Sequence, residues 1–442
     1  MKIQAHLDID LVALETQDDI TLMLDLTAPI SDMAKDRPGQ AVQIVLDRSG
    51  SMEGQPLEAA KNSILLLLDR LSPQDSFGLV GFDNTALVFA PLRPLADIDL
   101  RSLRIAIRAI RSGGNTDISA GYLLGLRELN RVQASGGSTL MLISDGHANA
   151  GEQSPEFFSQ IAQSSAQSKI TTSTIGLGVG YDESILEAAA QGGGGTHRFA
   201  NTIDEAVGAI AAVVEDLLDK SIVNAVLRIT PLAGVQGAPK IELLQRLPYW
   251  QDGSDYVVQL GDLYAGENRR FVFSLEIPQI ADLGFCTIAN ITLEYLDLAL
   301  RQEYSVMMPV TVNVVPQDVA NNRVPNPIVR AERLILESQA EKVLATDEIK
   351  TGNGKDASNR LKEVAGKLRR EASLLPVTDE RSAESLNIMM TEASAMEALA
   401  VDAEFERPEY SSKRMTESYS NKTRSRNFRN QSEPTSTEEE SN

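Results

Sequence analysis

The chain has 442 residues, of which 42% are hydrophobic and 5% aromatic, and its formal net charge at pH 7 is −21. This length is enough for two or three globular domains. A surface this acidic repels both nucleic acid and anionic membranes, so we expect neither of them as a partner. An acidic protein partner would need a local positive attractor on this chain, such as a metal ion.

The cysteine content and the first residues bear on the cellular compartment. Cys286 is the only cysteine, so no disulfide can form within the chain, as is typical of a reducing compartment. Residues 1–8 contain no apolar run of the kind that a secretory signal peptide requires. The longest apolar runs, such as residues 64–68, are too short to cross a bilayer. These observations predict a cytoplasmic protein.

Residues 1–38 precede the first strand of a central domain. Residues 9–14 and 20–26 are rich in apolar and β-branched side chains, and they predict two strands with a turn at Asp18-Asp19 between them. A doubly wound sheet that begins near residue 41 has no place for these strands. We therefore expect them to join a sheet that forms later in the chain.

Strands and helices alternate over residues 39–221. This alternation predicts a doubly wound α/β domain whose mainly parallel sheet is covered by helices on both faces. One of the predicted helices, over residues 100–110, carries a basic face. That face consists of Arg101, Arg104, Arg108 and Arg111.

Polar residues follow two of the predicted strands in this domain. Asp47-Arg48-Ser49-Gly50-Ser51 follows the apolar residues 41–46, and Ser144-Asp145-Gly146 follows residues 139–143. Thr116 lies in a third loop, just before a predicted helix. Open α/β sheets bind their ligands outside the carboxyl ends of the strands. Carboxylates and hydroxyls are hard oxygen donors, which suit magnesium, manganese or calcium and not zinc or copper.

This arrangement resembles the metal-ion-dependent adhesion site of von Willebrand factor type A domains, in an intracellular bacterial type of protein. The positions that match the motif of that family are Asp47, Ser49, Ser51, Thr116 and Asp145. The resemblance implies that they hold one divalent ion, Mg²⁺ with Mn²⁺ or Ca²⁺ as alternatives. It also implies that an acidic side chain of a partner protein completes the coordination of the ion.

Four further residues near these loops are candidates for the rim that contacts the partner: Arg48, Met52, Asp117 and His147. Asp117 directly follows a predicted ligand, but its side chain should point the other way along the chain. We therefore expect it to support the ligands and not to bind the ion.

The remaining half of the chain changes character several times. Residues 222–316 show an apolar period of two without helices, which predicts an antiparallel β-sandwich. The central domain would then be an insertion in this sandwich or a clasp against it. Residues 317–327 predict a linker, and residues 328–402 predict helices that form a small bundle, dock on a partner or pack on the sandwich. Residues 403–442 are poor in apolar side chains and predict a disordered interaction tail, basic at first and then acidic.

Enzymatic alternatives find little support in the sequence. A phosphatase that forms an aspartyl phosphate would need a second acid in place of Ser49. A serine hydrolase needs a base, yet the histidines are only His6, His147 and His197, and no Gly-x-Ser-x-Gly elbow precedes a helix. We therefore predict a non-catalytic, metal-dependent adaptor that binds a protein. The alternatives are an adaptor subunit of a chelatase-like or MoxR-like AAA+ machine, a signalling partner or, less favoured without a signal peptide, a surface adhesin.

Overall fold

The computed structural model describes residues 1–30, 38–132, 136–178, 181, 183–200, 205, 208–209, 220–232, 239–245, 247–377, 379–405, 411–416 and 418. The strands are β1 (Lys2–Leu7), β2 (Leu11–Ala13), β3 (Asp18–Thr27), β4 (Ala41–Asp47), β5 (Ser76–Phe82), β6 (Ala86–Pro94), β7 (Ser138–Ser144), β8 (Ile170–Leu177), β9 (Gly194–Ala200), β10 (Lys220–Pro231), β11 (Lys240–Leu243), β12 (Tyr249–Asp252), β13 (Asp255–Tyr264), β14 (Asn268–Ile277), β15 (Gly284–Asp297) and β16 (Gln302–Val315). The helices are α1 (Gln55–Arg70), α2 (Leu100–Ala109), α3 (Ile118–Leu129), α4 (Pro155–Gln167), α5 (Glu183–Gly192), α6 (Gln317–Ala320), α7 (Pro327–Lys350), α8 (Gly354–Leu374) and α9 (Glu380–Phe405).

The central domain is built on a sheet with the strand order β6-β5-β4-β7-β8-β9. Its strands are parallel except for β6, which pairs antiparallel with β5. Every residue of β4, near the middle of the sheet, is buried. Helices α1 and α2 cover one face, and helices α3 to α5 cover the other, each over an apolar core. The predicted doubly wound fold is confirmed, and the carboxyl ends of β4, β7 and β8 lie along one edge.

Side-chain caps determine where two helices of this domain begin. Asp117 accepts a hydrogen bond from the backbone N–H of Ala120 at 2.9 Å, at the start of α3. Ser154 accepts one from the N–H of Phe157 at 3.2 Å, at the start of α4. Such a cap satisfies an unpaired helical N–H and contributes about 1 kcal/mol. The cap at Asp117 also places Thr116 directly in front of α3.

The β-sandwich combines strands from both sides of the central domain. One of its sheets has the order β1-β3-β14-β11, and the other has the order β12-β13-β10-β15-β16-β2. All of the strand pairs are antiparallel except β2 with β16. Because β1 to β3 precede the central domain and β10 to β16 follow it, that domain is an insertion in the sandwich. Strand β1 was not predicted, since none of its residues is fully buried and its apolar pattern is weak.

A buried ion pair joins the central domain to the sandwich. The Lys220 ammonium lies 2.5 Å from a carboxylate oxygen of Asp262, and both side chains are almost entirely buried. Lys220 also donates to Thr139 Oγ1 at 2.9 Å, and Thr171 Oγ1 donates to Asp262 at 3.0 Å. The two threonines lie near the amino ends of β7 and β8. The ion pair therefore connects the sandwich to the edge of the central sheet where β7 and β8 begin. This edge is opposite the one where β4 ends.

Helices α7, α8 and α9 form a bundle with a core of its own. The bundle is docked on the sandwich through α7, whose Val329 and Leu336 pack against Met23 of β3 and Val272 of β14. Two of the arrangements considered for this region, a bundle and packing on the sandwich, thus occur together. Within the described ranges, no helix combines the length and the apolar content needed to cross a membrane.

The C-terminal part contains helical structure that was not predicted. The predicted linker contains the short helix α6, in which Ala320 is buried. Residues 411–416, predicted to be disordered, are helical, and Met415 is fully buried in the bundle core. The apolar contacts of Met415 and the hydrogen bonds of Lys413 and Thr416 hold this segment, although its average hydrophobicity is low. Of the remaining predicted tail, residues 403–405 belong to α9, and residues 406–410, 417 and 419–442 lie outside the described residues.

Candidate metal centre

The structure brings the five predicted ligands together at the edge where β4 and β7 end. Asp47 is the last residue of β4 and has no exposed surface. Ser49 and Thr116 are also buried, whereas Ser51 is exposed. Asp145 directly follows β7 and is partly exposed. The group is thus buried on the protein side and open to solvent on the side of Ser51.

The side-chain oxygens surround one small space. Ser51 Oγ donates to Asp145 Oδ1 at 2.8 Å, and Ser49 Oγ lies 3.1 Å from Ser51 Oγ. A Cβ atom added at Gly146 would lie 3.1 Å from Ser51 Oγ and 3.2 Å from Thr116 Oγ1. The glycine therefore leaves the space that these oxygens share, and a larger side chain at that position would crowd it.

Two hydrogen bonds orient the Asp47 carboxylate. The backbone N–H of Ser49 donates to Oδ1 at 2.8 Å, and the hydroxyl of Ser144 donates to Oδ2 at 2.6 Å. Burial raises the pKa of Asp47, and these two hydrogen bonds oppose the rise. Sequence analysis did not select Ser144. The sequence places Ser144 directly after the apolar residues 139–143, but its role depends on β7 lying beside β4.

The two carboxylates of the site lack a counter-charge. Burial raises the pKa of Asp145 to about 6, the hydrogen bond from Ser51 opposes this rise, and the charge of Asp47 adds to it. Among the residues that the structure describes, no lysine or arginine lowers the pKa of Asp47 or Asp145. Neighbouring carboxylates that are partly desolvated repel each other when ionised. A divalent cation between them would remove that repulsion.

The donor set fits a hard divalent cation. It offers two carboxylates and three hydroxyls, all of them oxygen donors, with no sulfur or imidazole among the five residues. Mg²⁺ prefers six oxygen ligands and usually keeps some of its waters, so a coordination position remains for a further ligand. Elsewhere in the described ranges, no group of three or more His, Cys, Asp or Glu residues could hold a metal ion.

The family comparison agrees with this geometry. Residues 42–212 match the sequence family described as the von Willebrand factor type A domain. The chain contains a von Willebrand factor type A domain. In this type A domain the predicted ligands occupy the three loops at the carboxyl edge of the sheet.

Individual relatives extend the similarity beyond the type A domain. The uncharacterized protein sll0103 of Synechocystis sp. is 26% identical over 330 residues, which are 73% of this chain and 77% of that protein. Human inter-alpha-trypsin inhibitor heavy chain H4 is 27% identical over 164 residues, 36% of this chain but only 18% of the relative. A solved structure of a von Willebrand factor type A protein from Catenulispora acidiphila has a TM-score of 0.68 at 15% identity, over 90% of this chain and 96% of that one. That last similarity shows a shared fold.

Reciprocal contacts hold the loops of the type A domain together. Asn149 Oδ1 accepts a hydrogen bond from the Thr116 N–H at 2.8 Å, and the Asn149 N–H donates to the Thr116 carbonyl at 3.1 Å. The Gly50 N–H donates to the Gly114 carbonyl at 3.1 Å. Asn149 is thus a second residue that sequence analysis missed. An asparagine in a polar loop carries no signal of its own, because only the folded chain shows which loop it contacts.

Two of the predicted rim residues have structural roles. Met52 has no exposed surface and packs in the apolar core beneath α1, so its assignment to the rim was wrong. Its side chain turns inward because the short 3₁₀ turn Gly50–Met52 presents its last residue to the sheet. Asp117 accepts hydrogen bonds from Ser119 Oγ and Ala120 N, so its carboxylate serves as a helix cap.

The other two predicted rim residues differ in what they can offer a partner. The Arg48 guanidinium lies 2.5 Å from the Asp83 carboxylate and 5.9 Å from the centre of the Phe89 ring. It is therefore held within the protein. His147 is exposed, two residues after Asp145, and is available for contact.

We expect Ser144→Ala to lower the affinity for Mn²⁺ about 10- to 100-fold, as is usual when the partner of a metal ligand is removed. The variant would leave Asp47 Oδ2 without its hydrogen bond, so the carboxylate would lose its fixed orientation. Isothermal titration with Mn²⁺ measures the change. Ser165→Ala is the control, because that hydroxyl bonds only to a carbonyl within α4, that of Ile161. Equal affinities in the two variants would contradict the role of Ser144.

Proposed function

We propose that this protein is a non-catalytic adaptor that binds a partner protein through a divalent metal ion in its type A domain. The ion is Mg²⁺, with Mn²⁺ or Ca²⁺ as alternatives, and its ligands are Asp47, Ser49, Ser51, Thr116 and Asp145. Type A domains are in general protein-interaction modules. The observation that carries the proposal is the pair of carboxylates that face three hydroxyls without a counter-charge.

The chemistry of the site favours an acidic group on the partner. The ion would retain a coordination position on the exposed side of the site, next to Ser51. A carboxylate that fills this position exchanges a water ligand for a charged one, and contacts that involve charged groups are both strong and directional. The net charge of −21 repels acidic proteins in general. Specific binding therefore depends on the ion, and neither nucleic acid nor a membrane is a partner in this proposal.

The contacts of the serines support a role without catalysis. Their hydroxyls bond to each other and to Asp145, and no histidine in the described part of the chain contacts them. Cys286 is a free thiol, which is compatible with a cytoplasmic location. An adaptor subunit of an AAA+ machine would use the same metal surface and would differ only in the identity of its partner.

Affinity capture from native extract tests the proposal. The full chain is immobilised and exposed to extract with Mg²⁺ or with EDTA, beside the variants Asp47→Ala and Asp69→Ala. Asp69 is the control, because it lies on α1 in the same domain and pairs with Arg104. We expect a partner that is lost with EDTA and with Asp47→Ala, and retained with Asp69→Ala. A partner set that is identical under all four conditions would overturn the proposal.

Metal affinity should also depend on pH in a defined direction. The proton on Asp145, whose pKa is raised to about 6, competes with the cation, and the raised pKa of Asp47 acts in the same direction. Affinity for Mn²⁺ should be nearly constant above about pH 7 and should fall up to about tenfold for each pH unit below about pH 6. Titration with Mn²⁺ across this pH range measures the change in affinity. An affinity that stays constant down to about pH 5 would contradict the shift of Asp145.

A further inference from the structure

Helix α2 presents a basic and partly apolar face to solvent. Arg101, Ile105 and Arg108 lie one turn apart, so they share a face of the helix. Ile105 is 61% exposed, and both arginines are exposed. Arg104, to one side, is paired with Asp69 at 2.5 Å, but no described acidic side chain pairs with Arg101 or Arg108. Two available guanidinium groups around an exposed isoleucine, on so acidic a chain, indicate a surface for an acidic ligand.

This basic face of α2 ends at the metal edge, which is the edge of the central sheet where β4 and β7 end and the five candidate ligands lie. The loop that follows α2 leads to Thr116, and within it the Gly113 N–H donates to the Arg48 carbonyl at 2.8 Å. The Arg48 guanidinium in turn donates to the Arg111 carbonyl at 3.4 Å. The helix rises about 1.5 Å per residue, so Arg101 and Arg108 are about 10 Å apart along it. A short extended segment can therefore contact the basic face and the metal site together.

The described part of the C-terminal tail reaches the same edge of the sheet. The Lys413 ammonium donates to the Tyr181 carbonyl at 2.9 Å and lies 3.7 Å from the centre of the Tyr181 ring. The hydroxyl of Thr416 bonds to the Glu183 carboxylate. Tyr181 follows β8, which is two strands away from β4 in the sheet. At about 4.8 Å per strand, the tail is anchored about 10 Å along the edge from the strand that carries Asp47.

We propose that the acidic run of the tail is an internal ligand of this surface. One carboxylate of the three glutamates at 438–440 completes the coordination of the metal ion, and the others, with Glu433, pair with Arg101 and Arg108. The inference rests on the metal site proposed above. About twenty positions separate Ser418 from the run, and a chain of that length spans up to about 70 Å, far more than the distance required.

Attachment to the same chain makes a weak ligand effective. A tethered group meets its site at an effective concentration in the millimolar range for a short linker, which raises binding by about 10²- to 10⁴-fold without any new contact. An acidic partner must then displace the tail before it reaches the ion. The tail would thus set the affinity threshold that a partner has to exceed.

Paramagnetic Mn²⁺ tests the proposal on the full chain. Mn²⁺ bound at the metal site broadens the amide signals of nearby residues in the ¹⁵N-labelled protein. We expect the signals of residues 438–440 to broaden with Mn²⁺ and to recover when Mg²⁺ replaces it. Changing the three glutamates at 438–440 to glutamine should weaken Mn²⁺ binding by about tenfold or more.

Further variants separate the possible outcomes. Arg101→Glu combined with Arg108→Glu should restore the tail signals in Mn²⁺, whereas Arg127→Glu on the exposed side of α3 should not. Mn²⁺ binding that is lost with Asp47→Ala, together with unchanged tail signals, would overturn this inference and leave the adaptor proposal intact. Absence of Mn²⁺ binding in the wild type would overturn both. In a mixing experiment, unlabelled wild type with bound Mn²⁺ is added to ¹⁵N-labelled Asp47→Ala protein. If the tail signals of the labelled variant broadened, the tail would bind a neighbouring copy, which would contradict the internal arrangement.

Discussion

The Asp47→Asn variant should be at least as stable to heat as the wild type in EDTA, but less stable than the wild type in Mg²⁺. In EDTA the variant should unfold at the same or a higher temperature, because it removes a charge whose pKa is raised by burial. Asparagine has the same shape, can keep the hydrogen bond from the Ser49 N–H, and can donate to the Ser144 hydroxyl. At a Mg²⁺ concentration of about 100 times the Kd, only the wild type should gain about 2.7 kcal/mol.

Thermal unfolding in both buffers measures this reversal, and titration calorimetry should show that the variant loses Mg²⁺ affinity by about 100-fold or more. Asp75→Asn is the matched control. Asp75 is also a fully buried carboxylate of the type A domain, but it accepts backbone hydrogen bonds from Gln40 at 2.9 Å and Ser72 at 2.7 Å. The Asp75→Asn variant should be less stable than the wild type by the same amount in EDTA and in Mg²⁺. If Mg²⁺ stabilised Asp47→Asn as much as the wild type, the site would not be a metal site.

The sequence predicts that the five candidate ligands lie at one edge of the sheet because each of them is a local feature. Asp47 and Asp145 directly follow apolar strands, and parallel strands deliver such residues to one edge of a sheet. Thr116 precedes a helix whose cap, Asp117, is also readable from the sequence. The residues that orient the ligands depend instead on which strands are neighbours. Ser144 bonds to Asp47 across 97 positions of the chain, and no local pattern indicates that contact.

The same distinction explains the errors outside the site. Met52 was assigned to the rim because its position in the chain is next to the ligands, whereas the turn in which it lies directs it into the core. Residues 411–416 were assigned to a disordered tail because their composition is polar. Their order comes from contacts with the bundle core at Met415 and with α5 at Glu183, which the composition of the segment does not indicate. The composition of a segment shows how much apolar surface it could bury by itself. It does not show which contacts a neighbouring domain provides.

The metal edge and the junction with the sandwich lie at opposite ends of the central strands. Asp47 ends β4, whereas the threonines that contact the buried pair of Lys220 and Asp262 lie near the amino ends of β7 and β8. The sandwich therefore contacts the type A domain at the edge opposite the candidate ligands. This separation predicts that stability and metal affinity respond to different substitutions.

Asp262→Ala should lower the free energy of unfolding by about 3–5 kcal/mol, because it leaves the Lys220 ammonium buried without its partner. Burial alone would raise the pKa of Asp262, but the charge and hydrogen bond of Lys220 hold it below its usual value. The carboxylate therefore stabilises the fold above the pKa of about 3.9 that it has in the unfolded chain. This contribution is lost as the pH falls through the lower pKa of the folded state.

Urea unfolding at neutral pH measures the loss, and two further variants define its origin. Lys220→Met combined with Asp262→Leu should recover much of the stability, since it removes both buried charges. Asp252→Ala breaks the exposed pair with Arg228, in which the side chains are 62% and 34% exposed, and should cost at most about 1 kcal/mol. Below its unfolding transition, Asp262→Ala should bind Mn²⁺ as tightly as the wild type, because the pair lies at the far end of the sheet. A folded Asp262→Ala protein with weakened Mn²⁺ binding would show instead that the sandwich controls the metal edge through the central strands.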